Sequence, residues 1–163
     1  MQILKMQRNA DKDVQTEASN SWFVEGVAEY AATTALGERN DMRLYELKEA
    51  RRKNELWPIE QLTVYKMGSF PGVTVSSALS AYAQSWSFVG FLMKNYRKEF
   101  MHYLKRMTME KPSQDDDLKW LIEALGKDLR VVEKEWQDSI DVLPNVDDPQ
   151  IEQLMRVREI FQR

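Results

Sequence analysis

Two stretches of this chain, residues 21–36 and about 77–96, are apolar on nearly every side when read at the helical period. Helices with that pattern lie inside a protein core. The remaining periodic segments are more polar, which is typical of helices that cover a core; they are residues 41–53, 58–62, 97–109, 113–125, 128–140 and 151–161. The pattern therefore predicts an all-α single domain of about seven helices, with two central buried helices (about 21–36 and 77–96).

Three segments need a separate interpretation. Residues 1–20 are polar and irregular, which predicts a flexible N-terminal segment before a helical domain of residues 21–163. Residues 68–75 have a β-like composition, but no hairpin partner is visible, so they are interpreted as a loop. The acidic run at residues 115–117 opens a predicted helix, where the helix dipole favours negative charge, so it indicates a helix start rather than a cation site.

Composition excludes several classes of protein. A net charge of −3, with no prominent run of lysine and arginine, argues against nucleic acid as a partner. The absence of cysteine removes disulfides, thiolate metal ligands and a thiol nucleophile. Residues 67–93 are uncharged but contain a proline, three glycines and six serines, so no membrane span is predicted there. The charge and polarity thus argue against nucleic acid and against a membrane span.

Two carboxylates stand out on the first apolar helix. Glu25 and Glu29 are four residues apart, so they share one face, which also carries Trp22. A buried, unpaired charge is very costly, so such a pair needs a cation, a metal or strong hydrogen-bond donors. From spacing alone, both a functional site and a half-covered helix with glutamates in water remain open.

The segment Trp22–Tyr30 has the sequence WFVEGVAEY, which resembles the W-x-x-E-G-x-A-x-Y segment of gluzincin-type zinc metallopeptidases (peptidase MA clan). The resemblance makes Glu25 the candidate third zinc ligand and Glu29 an outer carboxylate that orients a zinc-binding histidine. Residues 82–92 resemble the helix that follows in the same enzymes, and this resemblance makes Tyr82 the catalytic residue that hydrogen-bonds the tetrahedral intermediate. It also implies a substrate cleft lined by Trp22, Tyr30 and Trp86.

The spacing of further residues between about 57 and 136 resembles one group in that clan, a peptidase-like domain family of unknown function found mostly in bacteria. The resemblance covers roughly residues 20–140. It implies zinc as the cofactor of the full-length protein and a peptide or protein as its substrate. It weakly suggests a location outside the cytoplasm, while the chain itself shows no signal peptide.

The chain departs from those enzymes in one large respect. Their other two zinc ligands and their general base belong to an H-E-x-x-H helix before the glutamate ligand, and residues 1–24 contain no histidine. The single histidine, His102, lies downstream on a predicted charged face. We therefore expect this chain alone to bind no zinc and to be inactive.

Three hypotheses follow from the sequence. The first is the C-terminal helical half of a gluzincin-like zinc peptidase, either a fragment or a gene product whose start lies further upstream. The second is a non-catalytic helical peptide- or protein-binding domain derived from that fold. The third is an unrelated helical protein with a chance match. The first two require Glu25 and Tyr82 to face one groove, and a homodimer is possible in any of them.

Overall fold

The computed structural model of the chain describes residues 21–36, 40–64, 75–110, 112–113 and 116–161. The predicted flexible segment 1–20 and most of the predicted loop 68–75 lie outside these ranges. Within them the fold is all-α, as predicted, and no strand occurs. The described residues form eight helices: α1 (Ser21–Leu36), α2 (Asp41–Arg52), α3 (Ile59–Val64), α4 (Val75–Asn95), α5 (Arg97–Met109), α6 (Asp116–Leu125), α7 (Leu129–Asp141) and α8 (Pro149–Phe161).

Helices α1 and α4 form the centre of the fold, which confirms the prediction of two central helices. They approach closely at Gly26, where an added Cβ atom would lie 2.6 Å from the backbone oxygen of Ser85. Only glycine allows the two backbones to come this near. The remaining helices pack around this pair, with α2, α5 and α7 against α4 and with α6 against α5.

The core is rich in aromatic side chains that come from helices far apart in the sequence. Trp22, Phe88 and Tyr103 pack together, with ring centroids 5.6 Å apart for the first two and 6.2 Å apart for Trp22 and Tyr103. Trp136 packs against Phe88 at 5.2 Å. Each of these four rings is fully buried or nearly so. This contact set joins α1, α4, α5 and α7 into one hydrophobic core.

Local signals explain where several helices begin and end. The Asn40 side chain accepts a hydrogen bond from the Arg43 amide and caps α2, and Asp128 caps α7 in the same way. Gly126 has a φ of 60° just after α6, a backbone conformation that favours glycine at a helix end. The amide of Ile59 at the start of α3 donates to the Glu133 carboxylate of α7 at 2.8 Å. That last contact ties a short helix to the core.

Candidate functional site

Glu25 lies on an outward-facing part of α1 and is half-buried. Within the described ranges, no hydrogen bond or ion pair joins its carboxylate to another side chain. The helix around it exposes a run of apolar positions at helical spacing: Val24, Ala28, Ala31 and Ala32 are all exposed, Val24 to 53%. This surface, the α1 apolar stripe, flanks Glu25 and consists mostly of small side chains, which permit close approach of another helix.

Glu29, one turn later, is held by residues at the start of α2. One carboxylate oxygen accepts a hydrogen bond from the Asn40 amide at 3.0 Å, and the other accepts from the Arg43 guanidinium, also at 3.0 Å. Arg43 donates in addition to Glu46 at 2.9 Å. The two glutamates thus differ: Glu29 meets a cation of this chain, whereas Glu25 has none among the described residues.

The Arg43 guanidinium connects this cluster to α4. Its carbon lies 5.4 Å from the centroid of the Tyr82 ring, within the range of a cation–π contact. Burial alone would lower the pKa of Arg43, but its hydrogen bonds and ion pairs with Glu29 and Glu46 outweigh this and raise the pKa. Glu29 and Tyr82 therefore lie beside the same guanidinium, and Glu25 shares the Glu29 face of α1.

Replacing Arg43 with methionine is expected to lower the free energy of unfolding by about 2 kcal/mol, because it removes the cation that faces two partly buried carboxylates. The matched control is Arg52→Met, since Arg52 pairs with Glu49 on its own helix and is 67% exposed. That change is expected to cost no more than about 0.5 kcal/mol. Urea unfolding of both variants makes the comparison, and equal losses would contradict the bridging role of Arg43.

Trp22 does not line a cleft, contrary to the prediction. Its side chain is 2% exposed, and its indole N–H donates to the Asp117 carboxylate at 3.2 Å. Tyr103 donates its hydroxyl to the other oxygen of Asp117. The physical reason is that Trp22 points inward between α4, α5 and α6, where a large ring gains more from burial than from exposure.

Asp117 is a buried carboxyl group of the core, whereas the sequence pattern predicts only a helix start for the acidic run that contains it. It is 2% exposed, and burial raises its pKa to about 6, although the hydrogen bonds from Tyr103 and Trp22 act in the opposite direction. A signal was present in the sequence: Asp117 precedes Trp120 and Leu121 at the spacing of one helical face. Asp115 and Asp116, the other two acids of the run at residues 115–117, do not lie at this spacing from both of those residues, so burial is not expected for them.

A raised pKa for Asp117 predicts how stability changes with pH. Between its unfolded value of 3.8 and the folded value of about 6, the folded state binds more protons than the unfolded state, so the group's contribution to stability grows as pH falls through this window. From pH 7 to pH 5 the gain is about 1 kcal/mol. Urea unfolding at both pH values, with Asp117→Asn as the comparison, isolates it. The same pH dependence in both proteins would contradict the assignment.

Tyr30 and Trp86 line one cavity, on a different surface from that of Glu25. The cavity has a volume of about 680 Å³ and is lined by residues of α1, α4 and α7 and of the turns beside them. Neither Glu25, Glu29 nor Tyr82 contributes to its wall. The structure thus distributes the predicted site residues among the α1 face, the core and this cavity.

The donor groups among the described residues do not fit a zinc site by themselves. A catalytic zinc needs three protein ligands, and Glu25 offers one carboxylate. His102 is exposed on α5. Over the residues that the structure describes, no group of three or more histidine, cysteine, aspartate or glutamate side chains could hold a metal ion. What remains is a half-buried carboxylate beside an exposed apolar stripe.

The described residues form an all-helical domain in which Glu25, on a central helix, has no partner within the described part of the chain. The chain belongs to the family described as Protein of unknown function (DUF1570), whose model matches residues 7–114. The matched region includes α1, α2, Tyr82 and the whole of α5. No curated protein and no solved structure matches the chain. None of the described helices combines the length and apolar character needed to cross a membrane.

Proposed function

We propose that this domain is the C-terminal helical part of a gluzincin-like zinc metallopeptidase, in which Glu25 supplies the third zinc ligand. The observation that carries the proposal is the half-buried Glu25 carboxylate, without a partner in the described residues, beside the exposed α1 apolar stripe. A zinc-binding helix with small apolar contacts to α1 would cover that stripe and bring its two histidines to Glu25. The chain alone lacks those histidines, so we expect it to be inactive.

The contacts around Arg43 support a common groove for Glu25 and Tyr82. Arg43 pairs with Glu29 and lies over the Tyr82 ring, so Glu29 of α1 and Tyr82 of α4 lie beside one guanidinium. In the proposed enzyme, zinc supplies activation of water and polarisation of the peptide carbonyl. Tyr82 then donates a hydrogen bond to the oxyanion that forms. Glu29, whose oxygens already accept from Asn40 and Arg43, has less capacity to orient a histidine.

The first test is to determine the DNA sequence upstream of the Met1 codon. Codons for an H-E-x-x-H sequence, in frame and upstream of the Met1 codon, are the expected finding. An in-frame stop codon close upstream of Met1, with no such motif between them, contradicts the proposal. In the protein that such a frame encodes, Tyr82→Phe is expected to lower kcat for peptide hydrolysis by about 100-fold with little change in KM and unchanged zinc content.

The effect of Glu25→Gln on the free energy of unfolding distinguishes a zinc-ligand role of this carboxylate from a structural one. Because no described residue pairs with Glu25, its replacement is expected to change the free energy of unfolding of this chain by less than about 0.5 kcal/mol. Glu29→Gln on the same helix is the matched contrast, with an expected loss of about 1 kcal/mol, since it weakens the contacts to Arg43 and Asn40. A loss above about 2 kcal/mol for Glu25→Gln would show a strong internal partner and argue against a vacant ligand position.

The cavity of Tyr30 and Trp86 is the observation that favours the second candidate, a non-catalytic helical domain that binds a peptide or another protein. This candidate requires a face of α1 that is complete without a further helix. The exposed α1 apolar stripe argues against it, because surfaces of this kind are normally covered. Hydrolysis of a peptide by the complete gene product, abolished by Glu25→Gln, would separate the two candidates.

A further inference from the structure

The cavity between α1, α4 and α7 has the characteristics of a ligand site. Its volume of about 680 Å³ falls within the range of small-molecule sites in proteins. Four aromatic side chains form much of its wall: Tyr30, Trp86, Phe91 and Tyr96. Walls of this kind favour a flat apolar body, because aromatic rings bury large areas and prefer stacked or edge contacts.

Most of the charged groups at this cavity already have partners. Lys127 donates to the Tyr96 hydroxyl at 2.6 Å and to the Glu135 carboxylate at 3.2 Å, and Tyr96 donates to the other oxygen of Glu135. Asp138 accepts from Lys134 at 2.6 Å. Their charges are therefore balanced within the wall and leave little net attraction for a charged ligand.

Lys94 is the exception among the charged groups of the wall. It is exposed, lies on α4 one turn after Gly90, and has no ion pair or hydrogen bond within the described stretches of the chain. Its ammonium group can reach the opening of the cavity while its aliphatic stem lies along the apolar wall. The cavity thus combines an aromatic wall with one positive charge that no described residue compensates.

We propose that this cavity binds a small amphipathic carboxylate with an aromatic body, the rings lying among Tyr30, Trp86 and Phe91 and the carboxylate meeting Lys94. The positive charge of Lys94 favours an anionic group on the ligand, and the aromatic wall favours an aromatic ring system. This site is separate from the Glu25 face and does not depend on the function proposed for that face.

The test uses a matched pair of probes, 1-naphthylacetate and the neutral 1-naphthylacetamide, titrated into the protein and followed by NMR amide shifts. We expect the carboxylate to bind with a Kd on the order of 0.1 mM. The amide should bind about 3- to 5-fold more weakly, and the shifts should concentrate on the cavity residues. Equal affinity for the two probes, shifts elsewhere, or no binding of the carboxylate up to solubility would overturn the proposal.

Substitutions test separately the contribution of Lys94 to binding of the carboxylate and the contribution of the cavity to binding of the rings. Lys94→Met is expected to reduce the affinity for the carboxylate to that for the amide and to leave the amide unchanged. The control Lys98→Met, at an exposed position on α5 outside the cavity, should change neither. Ser139→Phe, which adds a ring to the wall, should weaken both probes at least 10-fold, with folding checked by urea unfolding. Equal effects of the two lysine changes would also overturn the proposal.

Discussion

Replacing Gly26 with alanine is expected to lower the free energy of unfolding by about 2 to 3 kcal/mol, although alanine is the better helix former. The added Cβ would lie 2.6 Å from the backbone oxygen of Ser85 and 2.7 Å from a methyl carbon of Val89. Backbone cannot move aside as the end of a flexible side chain can, so α1 and α4 must separate. That separation loosens the central contact of the fold.

Gly90→Ala is the matched control, because it makes the same chemical change on the partner helix. There the added Cβ would approach nothing closer than 3.6 Å, an ordinary contact with the Tyr30 ring. Alanine should therefore be neutral or should stabilise the protein by up to about 1 kcal/mol through helix propensity. Urea unfolding of both variants provides the measurement, and a Gly26→Ala protein as stable as Gly90→Ala would contradict the close helix approach.

The second large effect is expected at Asp117. At pH 7, Asp117→Ala should lower the free energy of unfolding by about 3 kcal/mol, because the buried Trp22 indole N–H and the Tyr103 hydroxyl both lose their acceptor. Asp117→Asn keeps one side-chain oxygen as an acceptor and should lose about 1 kcal/mol.

The neighbouring Asp116→Ala serves as the control for Asp117→Ala. Asp116 accepts from the amide and hydroxyl of Ser113 at the exposed start of α6, so its removal should cost about 1 kcal/mol, as the loss of a helix cap does. Guanidinium unfolding combined with near-ultraviolet circular dichroism of the buried tryptophans reports both stability and core packing. A loss at Asp117 no larger than at Asp116 would show that the Trp22 and Tyr103 contacts contribute little.

The two central helices could be predicted because their pattern is dominated by local periodicity, although the predicted burial of α1 does not hold along its exposed apolar stripe. α1 agrees with its predicted range, α5 begins and ends at the predicted residues, and α4 begins two residues earlier than expected. These agreements reflect physics that acts within one turn or two: apolar spacing, caps and helix-stopping glycines.

For contacts between helices, the sequence could predict the type of interaction but not the residues that make it. The need for a cation or hydrogen-bond donors near a buried Glu29 followed from the cost of an unpaired charge, but the identity of the cation, Arg43, depends on how α2 docks against α1. The inward direction of Trp22 likewise depends on Asp117, a residue 95 positions away. Nothing in the spacing of Tyr30 and Trp86 specifies the turn after α7 that completes their cavity.

The most direct test of the central proposal is the zinc content of the protein purified from the complete reading frame that encodes this chain. The account predicts about one zinc per chain in the wild type, loss of most of that zinc in Glu25→Gln, and full retention in the control Glu60→Gln, which alters an exposed carboxylate on α3. A wild-type protein without zinc, or a Glu25→Gln protein that retains it all, would contradict the assignment of Glu25 as the third ligand.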